Sequence, residues 1–182
     1  MFETKNLILR NFEQTDLDDL FELTSNKRLC SMSGLIYVKD KDLVDVVLER
    51  FIKKEYAFAV VLKETNKVVG LVELMEYNEK LYHGLKIDDG AKEIVFILNE
   101  NYWGKGIMRE AVNEVLKFAF NKLNVSQVLA GNFIENNQSA NFQNKIGLKK
   151  VGEIGHFRIV ENYQTIFVQR ILTKEDYLKR QN

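Results

Sequence analysis

The stretch between residues 93 and 123 limits the fold more than any other part of the chain. It opens on Glu93-Ile94-Val95-Phe96-Ile97-Leu98, an apolar, β-branched run with the length of a buried strand. It closes on residues 105–123, where Met108, Ala111, Val112, Val115, Leu116, Ala119 and Leu123 recur at helical spacing as one apolar stripe. Between the two lies Asn99-Glu100-Asn101-Tyr102-Trp103-Gly104-Lys105-Gly106, with two glycines one residue apart. Glycine lets a backbone turn tightly and come close to a ligand. The start of the helix adds unpaired N–H groups and the positive end of a dipole, and Lys105 adds charge. The joint is therefore suited to an anion such as a pyrophosphate. It also serves, on spacing alone, as a plain strand-to-helix turn. No GxxxxGK[ST] is present, so it is not a P-loop. No GxGxxG opens an N-terminal βαβ unit, so it is not a dinucleotide fingerprint.

The remaining chain alternates strand and helix patterns around this core. Residues 5–12 read as a strand. Thr15 is expected to cap a helix over residues 16–24, whose first turn carries Asp16, Asp18 and Asp19. Residues 26–38 lack clean periodicity and read as a loop or a broken helix. A helix over 40–54 follows from Leu43, Val44, Val47, Leu48 and Phe51. Residues 56–62 and 67–77 read as strands joined by a turn at 64–67. Residues 78–91 form a long polar connection. A strand is expected at 126–133 and a helix at 137–146, stopped by Gly147. Strands at 148–157 and 163–172 and a last turn at 174–180, capped by Thr173, complete the order. With neither repeat nor linker, residues 1–182 are expected to be one domain, an α/β (α+β) chain with helices packed on a mixed sheet.

Charge and cysteine usage remove several function classes. The chain has 26 basic and 26 acidic residues, without the basic excess that nucleic-acid binding draws on. No apolar run approaches the ~20 residues of a membrane span, and charges interrupt the N-terminus at once. The single cysteine, Cys30, excludes a disulfide within the chain. His83 and His156 are far apart, and no metal is expected. A reducing cytoplasm suits these features.

Trp103-Gly104-Lys105-Gly106 after a strand, followed by Glu110-Ala111 on a helix, resembles the acyl-CoA-binding motif of the GNAT acetyltransferases. The family pattern has Gln or Arg three residues before the first glycine, and Asn101 stands there instead. Thr4, Leu7, Leu9, Arg10 and Phe12 resemble the opening of the RimJ/RimL-like branch, which acetylates ribosomal-protein N-termini. Glu93-Ile94-Val95-Phe96, Asn136-Asn137-Gln138-Ser139 and Lys145-Ile146-Gly147-Leu148 resemble further motifs of that branch, in order and at matching spacing.

The resemblance implies a GNAT fold. Its sheet is mixed and mostly antiparallel, with about seven strands, helices on both faces, and a splayed pair of parallel strands that admits acyl-CoA. The backbone of Phe96, Ile97 and Leu98 would pair with the pantetheine arm. Trp103 and the amides of Gly104, Lys105, Gly106, Ile107 and Met108 would form the pyrophosphate cradle. Asn136 would contact the cofactor arm, Ser139 would sit near the sulfur, and Lys145 would reach the nucleotide end. Many members carry a tyrosine acid at the position of Gln143, which cannot act as one. Ser139 is expected to take its place. Glu93 is the expected base, with Glu73 behind it and His83 as a loop alternative. His156 and Tyr163 would line the acceptor site, and Cys30 lies in the segment expected to cover it.

The implied activity is transfer of acetyl from acetyl-CoA to a primary amine by a cytoplasmic acyltransferase that uses no metal. The acceptor would be a protein N-terminus or a small molecule, with neither nucleic acid nor membrane as partner. Monomer and homodimer both stay open. Gly70-Leu71-Val72-Glu73-Leu74 also resembles polyamine acetyltransferases, which keeps polyamines and aminoglycosides as alternative acceptors. A CoA-binding sensor without turnover is the reading from another class.

Overall fold

The computed structural model describes residues 1–159 and 161–181. Among them are eight strands: β1 (Phe2–Glu3), β2 (Leu7–Asn11), β3 (Ala57–Leu62), β4 (Lys67–Met75), β5 (Lys92–Leu98), β6 (Gln127–Phe133), β7 (Lys149–Arg158) and β8 (Tyr163–Thr173). Six α-helices accompany them: α1 (Leu17–Thr24), α2 (Lys27–Ser33), α3 (Lys41–Ile52), α4 (Ile107–Asn121), α5 (Asn137–Ile146) and α6 (Lys174–Lys179). The strands hydrogen-bond in the order β1-β2-β3-β4-β5-β6-β8-β7. The neighbours from β1 to β4 are antiparallel, as are β6–β8 and β7–β8. β5 and β6 run parallel, in register at Lys92↔Val128 and Glu93↔Leu129.

Three local expectations are corrected. The eighth strand arises because Phe2 and Glu3 pair with Leu9 and Ile8, a two-residue ladder too short to leave a periodic pattern. Residues 27–33 are a full helix. Asn26 accepts from the Leu29 amide at its start, and Gly34 closes it with φ 76°. Thr15 is not a cap: a 3-10 turn, Gln14–Asp16, precedes α1, and the Asp16 carboxylate accepts from the Glu13 amide. Asp16 is also gripped by both terminal nitrogens of Arg10 at 2.8 Å each. The caps expected at Thr173 and Gly147 are present.

The chain forms two units, each built from two stretches. The first comprises Met1–Leu74 and Val95–Val115. Its core joins Phe12, Leu20 and Leu23 to Val44, Leu48 and Phe51 of α3, and to Ala59, Leu71 and Ile97 of the strands. Phe12 and Phe51 stack with ring centroids 5.1 Å apart. Each fully buried side chain of this kind contributes about 1.5–3 kcal/mol. α4 is tied to the segment before β2 through Glu110, which accepts from Thr4 Oγ1 at 2.5 Å, the Asn6 amide at 2.8 Å and Asn6 Nδ2 at 2.9 Å.

The second unit comprises Met75–Ile94 and the chain from Leu116 onward. Tyr82, Ala91, Leu129, Phe167 and Ile171 form a buried cluster, with Tyr82 edge-on to Phe167 at 5.9 Å. Two arginines fix the C-terminal end of α5. Buried Arg170 of β8 donates to Asn132 Oδ1 at 3.2 Å, Asn144 Oδ1 at 2.6 Å and the Leu148 carbonyl at 3.2 Å. Arg180 donates to the Lys145 carbonyl at 2.9 Å and lies against Gly147, where a Cβ would meet its guanidinium at 2.7 Å. Cations suit a helix C-terminus, whose last carbonyls lack intrahelical partners.

Candidate active site

The first unit contributes the glycine turn and the end of β5. β4 and β5 approach closely at Gly70, where a Cβ would stand 2.3 Å from the Ile97 carbonyl oxygen. The Asn99 amide likewise donates to the Val69 carbonyl at 2.9 Å. Polar backbone groups alternate sides along a strand, so Ile97 and Asn99 face β4, and Phe96 and Leu98 direct theirs to the opposite edge. The Ile97 and Leu98 side chains are buried.

The turn itself is held from several sides. Asn99 accepts from the Asn101 amide at 3.0 Å and donates to Glu22 at 2.6 Å. Asn26 donates to Glu100 at 2.8 Å, and Arg28 pairs with Glu100 at 3.4 Å. The Trp103 indole donates to the Leu98 carbonyl at 2.8 Å and packs on the first unit's core. Trp103 therefore braces the turn. Gly104 and Gly106 both adopt left-handed backbone, φ 74° and 80°, and a Cβ on either would meet nothing within 4 Å. The Glu110 amide donates to the Gly106 carbonyl at 3.0 Å. The amides of Ile107, Met108 and Arg109 then belong to the first turn of α4, which has no intrahelical acceptor for them. Ile107 and Met108 bury their side chains and offer backbone alone. Lys105 and Arg109 are exposed, with the Lys105 ammonium 5.1 Å from the Tyr102 ring centroid. Two left-handed glycines open to solvent, a helix start and two cations fit a pyrophosphate. Arg109 was missed in the sequence. Its place in the first turn after Gly106 was the available signal.

The second unit holds Glu93 and the start of α5. Glu93 is only 8% exposed. Its carboxylate accepts from the Tyr82 phenol at 2.7 Å and from the Asn78 amide at 3.4 Å. Burial, then the Glu93 charge, push the Tyr82 phenol well above its usual range, so it stays protonated and donates. Tyr82, from the polar connection, was not recognised from sequence, because one tyrosine in a loop carries no periodic signal. Asn136 caps α5, its side chain accepting from the Ser139 amide at 3.0 Å. Ser139 Oγ accepts from Gln143 Nε2 at 2.8 Å, and that nitrogen also meets the Gly131 carbonyl at 3.0 Å.

Lys145 is exposed. Glu73, in the first unit, is buried and paired with Lys54 at 2.6 Å. The exposed His83 lends its carbonyl to Gln169 at 3.5 Å. His156 lies on Phe133 with ring centroids 5.6 Å apart, and Tyr163 accepts from Arg158 at 3.2 Å. Cys30 is buried and donates to the Thr24 carbonyl at 3.3 Å. Among the described residues no group of three His, Cys, Asp or Glu side chains is placed to hold a metal, and no helix is long and apolar enough to cross a membrane.

A family model described as an acetyltransferase (GNAT) domain matches residues 6–149. The chain is 24% identical over 177 residues to the uncharacterized N-acetyltransferase p20 of Bacillus licheniformis, covering 92% of this chain and 95% of that protein. It is 26% identical over 154 residues to the uncharacterized N-acetyltransferase YnaD of Bacillus subtilis, covering 82% of each. Among solved structures, a GNAT-family acetyltransferase from Bacillus anthracis superposes with a TM-score of 0.80 at 21% identity, over 95% of this chain and 98% of that one. Spermidine N-acetyltransferase from Vibrio cholerae, in complex with CoA and spermine, superposes with a TM-score of 0.76 at 24% identity, over 96% and 99% of the two chains.

Proposed function

This chain belongs to the GNAT acetyltransferase family, and from that premise we propose that it transfers acetyl from acetyl-CoA directly to a primary amine. The observation that carries the cofactor reading is the pair of left-handed glycines, Gly104 and Gly106, opening α4. The amides from Gly104 to Met108 take the pyrophosphate, with Lys105 and Arg109 adding charge. The backbone of Phe96, Ile97 and Leu98 runs along the pantetheine arm. Asn136 contacts that arm, and Lys145 serves the nucleotide end. Support for the pantetheine reading comes from the parallel pairing of β5 with β6, in register at Lys92 and Glu93.

The chemistry asks for few groups. The neutral amine attacks the thioester carbonyl carbon, a base takes its proton, and the C–S bond breaks. Glu93 is the proposed base, a carboxylate that Tyr82 and Asn78 hold in place. Ser139 is the proposed donor to the departing sulfur.

The acceptor reading is a protein N-terminus, in the manner of the RimJ/RimL-like branch, supported by the motifs from Thr4 to Phe12 and from Asn136 to Leu148. A polyamine is the second reading, favoured by the likeness to the spermine-bound Vibrio cholerae structure. The cytoplasm is the proposed compartment, since the lone thiol is buried and unbridged.

Thermal melting with acetyl-CoA, against adenosine and NAD, tests the cofactor assignment. A native-state ligand at a hundredfold excess over Kd stabilises by about 2.7 kcal/mol. A rise in Tm with acetyl-CoA alone is expected; no rise at millimolar acetyl-CoA would sink the assignment. Thiol release with peptide and polyamine panels then separates the two acceptors. Binding without release for any amine would favour a sensor.

A further inference from the structure

Gln143 lies four residues after Ser139 on α5 and is 0% exposed. Its Nε2 sits 3.0 Å from the Gly131 carbonyl oxygen on β6 and 2.8 Å from Ser139 Oγ. A carbonyl oxygen only accepts, so the nitrogen end of the amide must face Gly131. The orientation of the side chain is thereby fixed by chemistry. One amide hydrogen goes to Gly131 and the other to Ser139 Oγ, which must accept. Gln143 Oε1 is left buried without a partner, an unfavourable arrangement for a polar atom. A helical serine commonly gives its hydroxyl hydrogen to the carbonyl four residues back. Among the described residues, nothing accepts the hydrogen of Ser139.

We propose that Gln143 is a positioning residue for Ser139, occupying one Oγ lone pair from the buried side so that the hydroxyl hydrogen is presented to the sulfur of acetyl-CoA. The inference rests on the acetyl-transfer reading above. The new bond joins the amine nitrogen to the carbonyl carbon, and the C–S bond breaks with its electron pair kept by sulfur. The amine's proton goes to the base. The resulting thiolate accepts the Ser139 O–H hydrogen bond, and Gln143 neither gains nor loses a proton.

The test needs no acceptor amine. CoA itself is bound to the purified protein, and ionisation of its thiol is followed by ultraviolet thiolate absorbance. The bound thiol is expected to ionise at lower pH than free CoA. Ser139→Ala should cut the thiolate fraction at fixed pH by about tenfold, as befits a hydrogen bond to a charged group. Gln143→Met should cause the same loss, and the double variant no more than either alone. A merely structural Gln143 would lower Tm and leave the thiol titration of the bound CoA where it was. That result, beside a shift from Ser139→Ala, would overturn the inference and spare the acetyl-transfer reading. CoA that binds but whose thiol ignores Ser139→Ala removes Ser139 from the sulfur and overturns the inference with it. CoA that does not bind defeats the reading itself. Should Gln143→Met fail to fold, exchange of the Gln143 side-chain amide hydrogens gives an independent readout by NMR. Both should be protected in the wild type and one released in Ser139→Ala; two unaffected hydrogens would overturn the proposal.

Discussion

The phenol of Tyr82 donates to Glu93 Oε1 across 2.7 Å, with both side chains buried. Burial, the Glu93 charge and this hydrogen bond all raise the phenol above its usual range. An unfolded tyrosine ionises near pH 10, roughly, where the folded protein still keeps the Tyr82 proton. Its contribution is therefore complete below about pH 10 and is lost as pH rises further, because the unfolded chain then binds fewer protons. Urea unfolding should show stability falling above that pH, with a shallower fall in Tyr82→Phe. At neutral pH the variant should lose about 1–3 kcal/mol, since Glu93 forfeits a donor. Parallel alkaline limbs would contradict this account.

Glu110 gives the opposite sign. Burial raises its carboxyl, but the bonds from Thr4 and Asn6, aided by Lys5, outweigh burial and hold it below the ordinary 4.5. Its contribution is present above that value and disappears as pH falls through the lower folded one. Glu110→Gln should lower Tm at pH 7 by roughly 2–4 °C, the shift that about 1 kcal/mol produces in a chain of this size. The gap should close in acid melts. A gap that persists at low pH would show that the carboxylate charge is not what holds this contact.

The glycine turn separates binding from stability. Gly104→Ala and Gly106→Ala introduce a Cβ that meets no atom within 4 Å, so the only internal cost is left-handed backbone, about 1–2 kcal/mol. Acetyl-CoA affinity by calorimetry should fall by about tenfold or more, because on the proposed reading the Cβ would stand where the backbone approaches phosphate. Unchanged affinity in both variants would reduce the turn to a plain connector.

Cys30 should be chemically quiet. Burial pushes its thiol up to about 11 from an ordinary 9.0, which leaves about a hundredfold less thiolate at pH 8. Alkylation of the native protein should lag that of the urea-unfolded chain by at least that factor. Fast native labelling would point to an accessible thiol and contradict this burial.

The sequence made the buried strand, the glycine turn and α5 legible because each has a local signature: the run 93–98, the spacing of Gly104 and Gly106, and the Asn136 and Gly147 caps. α2 had signatures too, in Asn26 and Gly34, but its short length hid the period. What stayed hidden depends on tertiary meetings. Tyr82 meets Glu93 only once the connection folds back, and Gln143 meets Gly131 only across α5 and β6. Reading Gln143 as a mere loss of the tyrosine acid followed from seeing its chemistry without its neighbours.

The two arginines at the far end of α5 anchor it there, and Gln143 anchors its middle. Arg170 and Arg180 hold Asn144, Lys145 and Leu148, while Gln143 reaches the Gly131 carbonyl on β6. Five residues of helix, about 7.5 Å, separate Ser139 from Asn144. On the acetyl-transfer reading, residues that meet no substrate would thus hold the hydroxyl at its working height, and loosening either anchor would misalign Ser139 before the fold is lost.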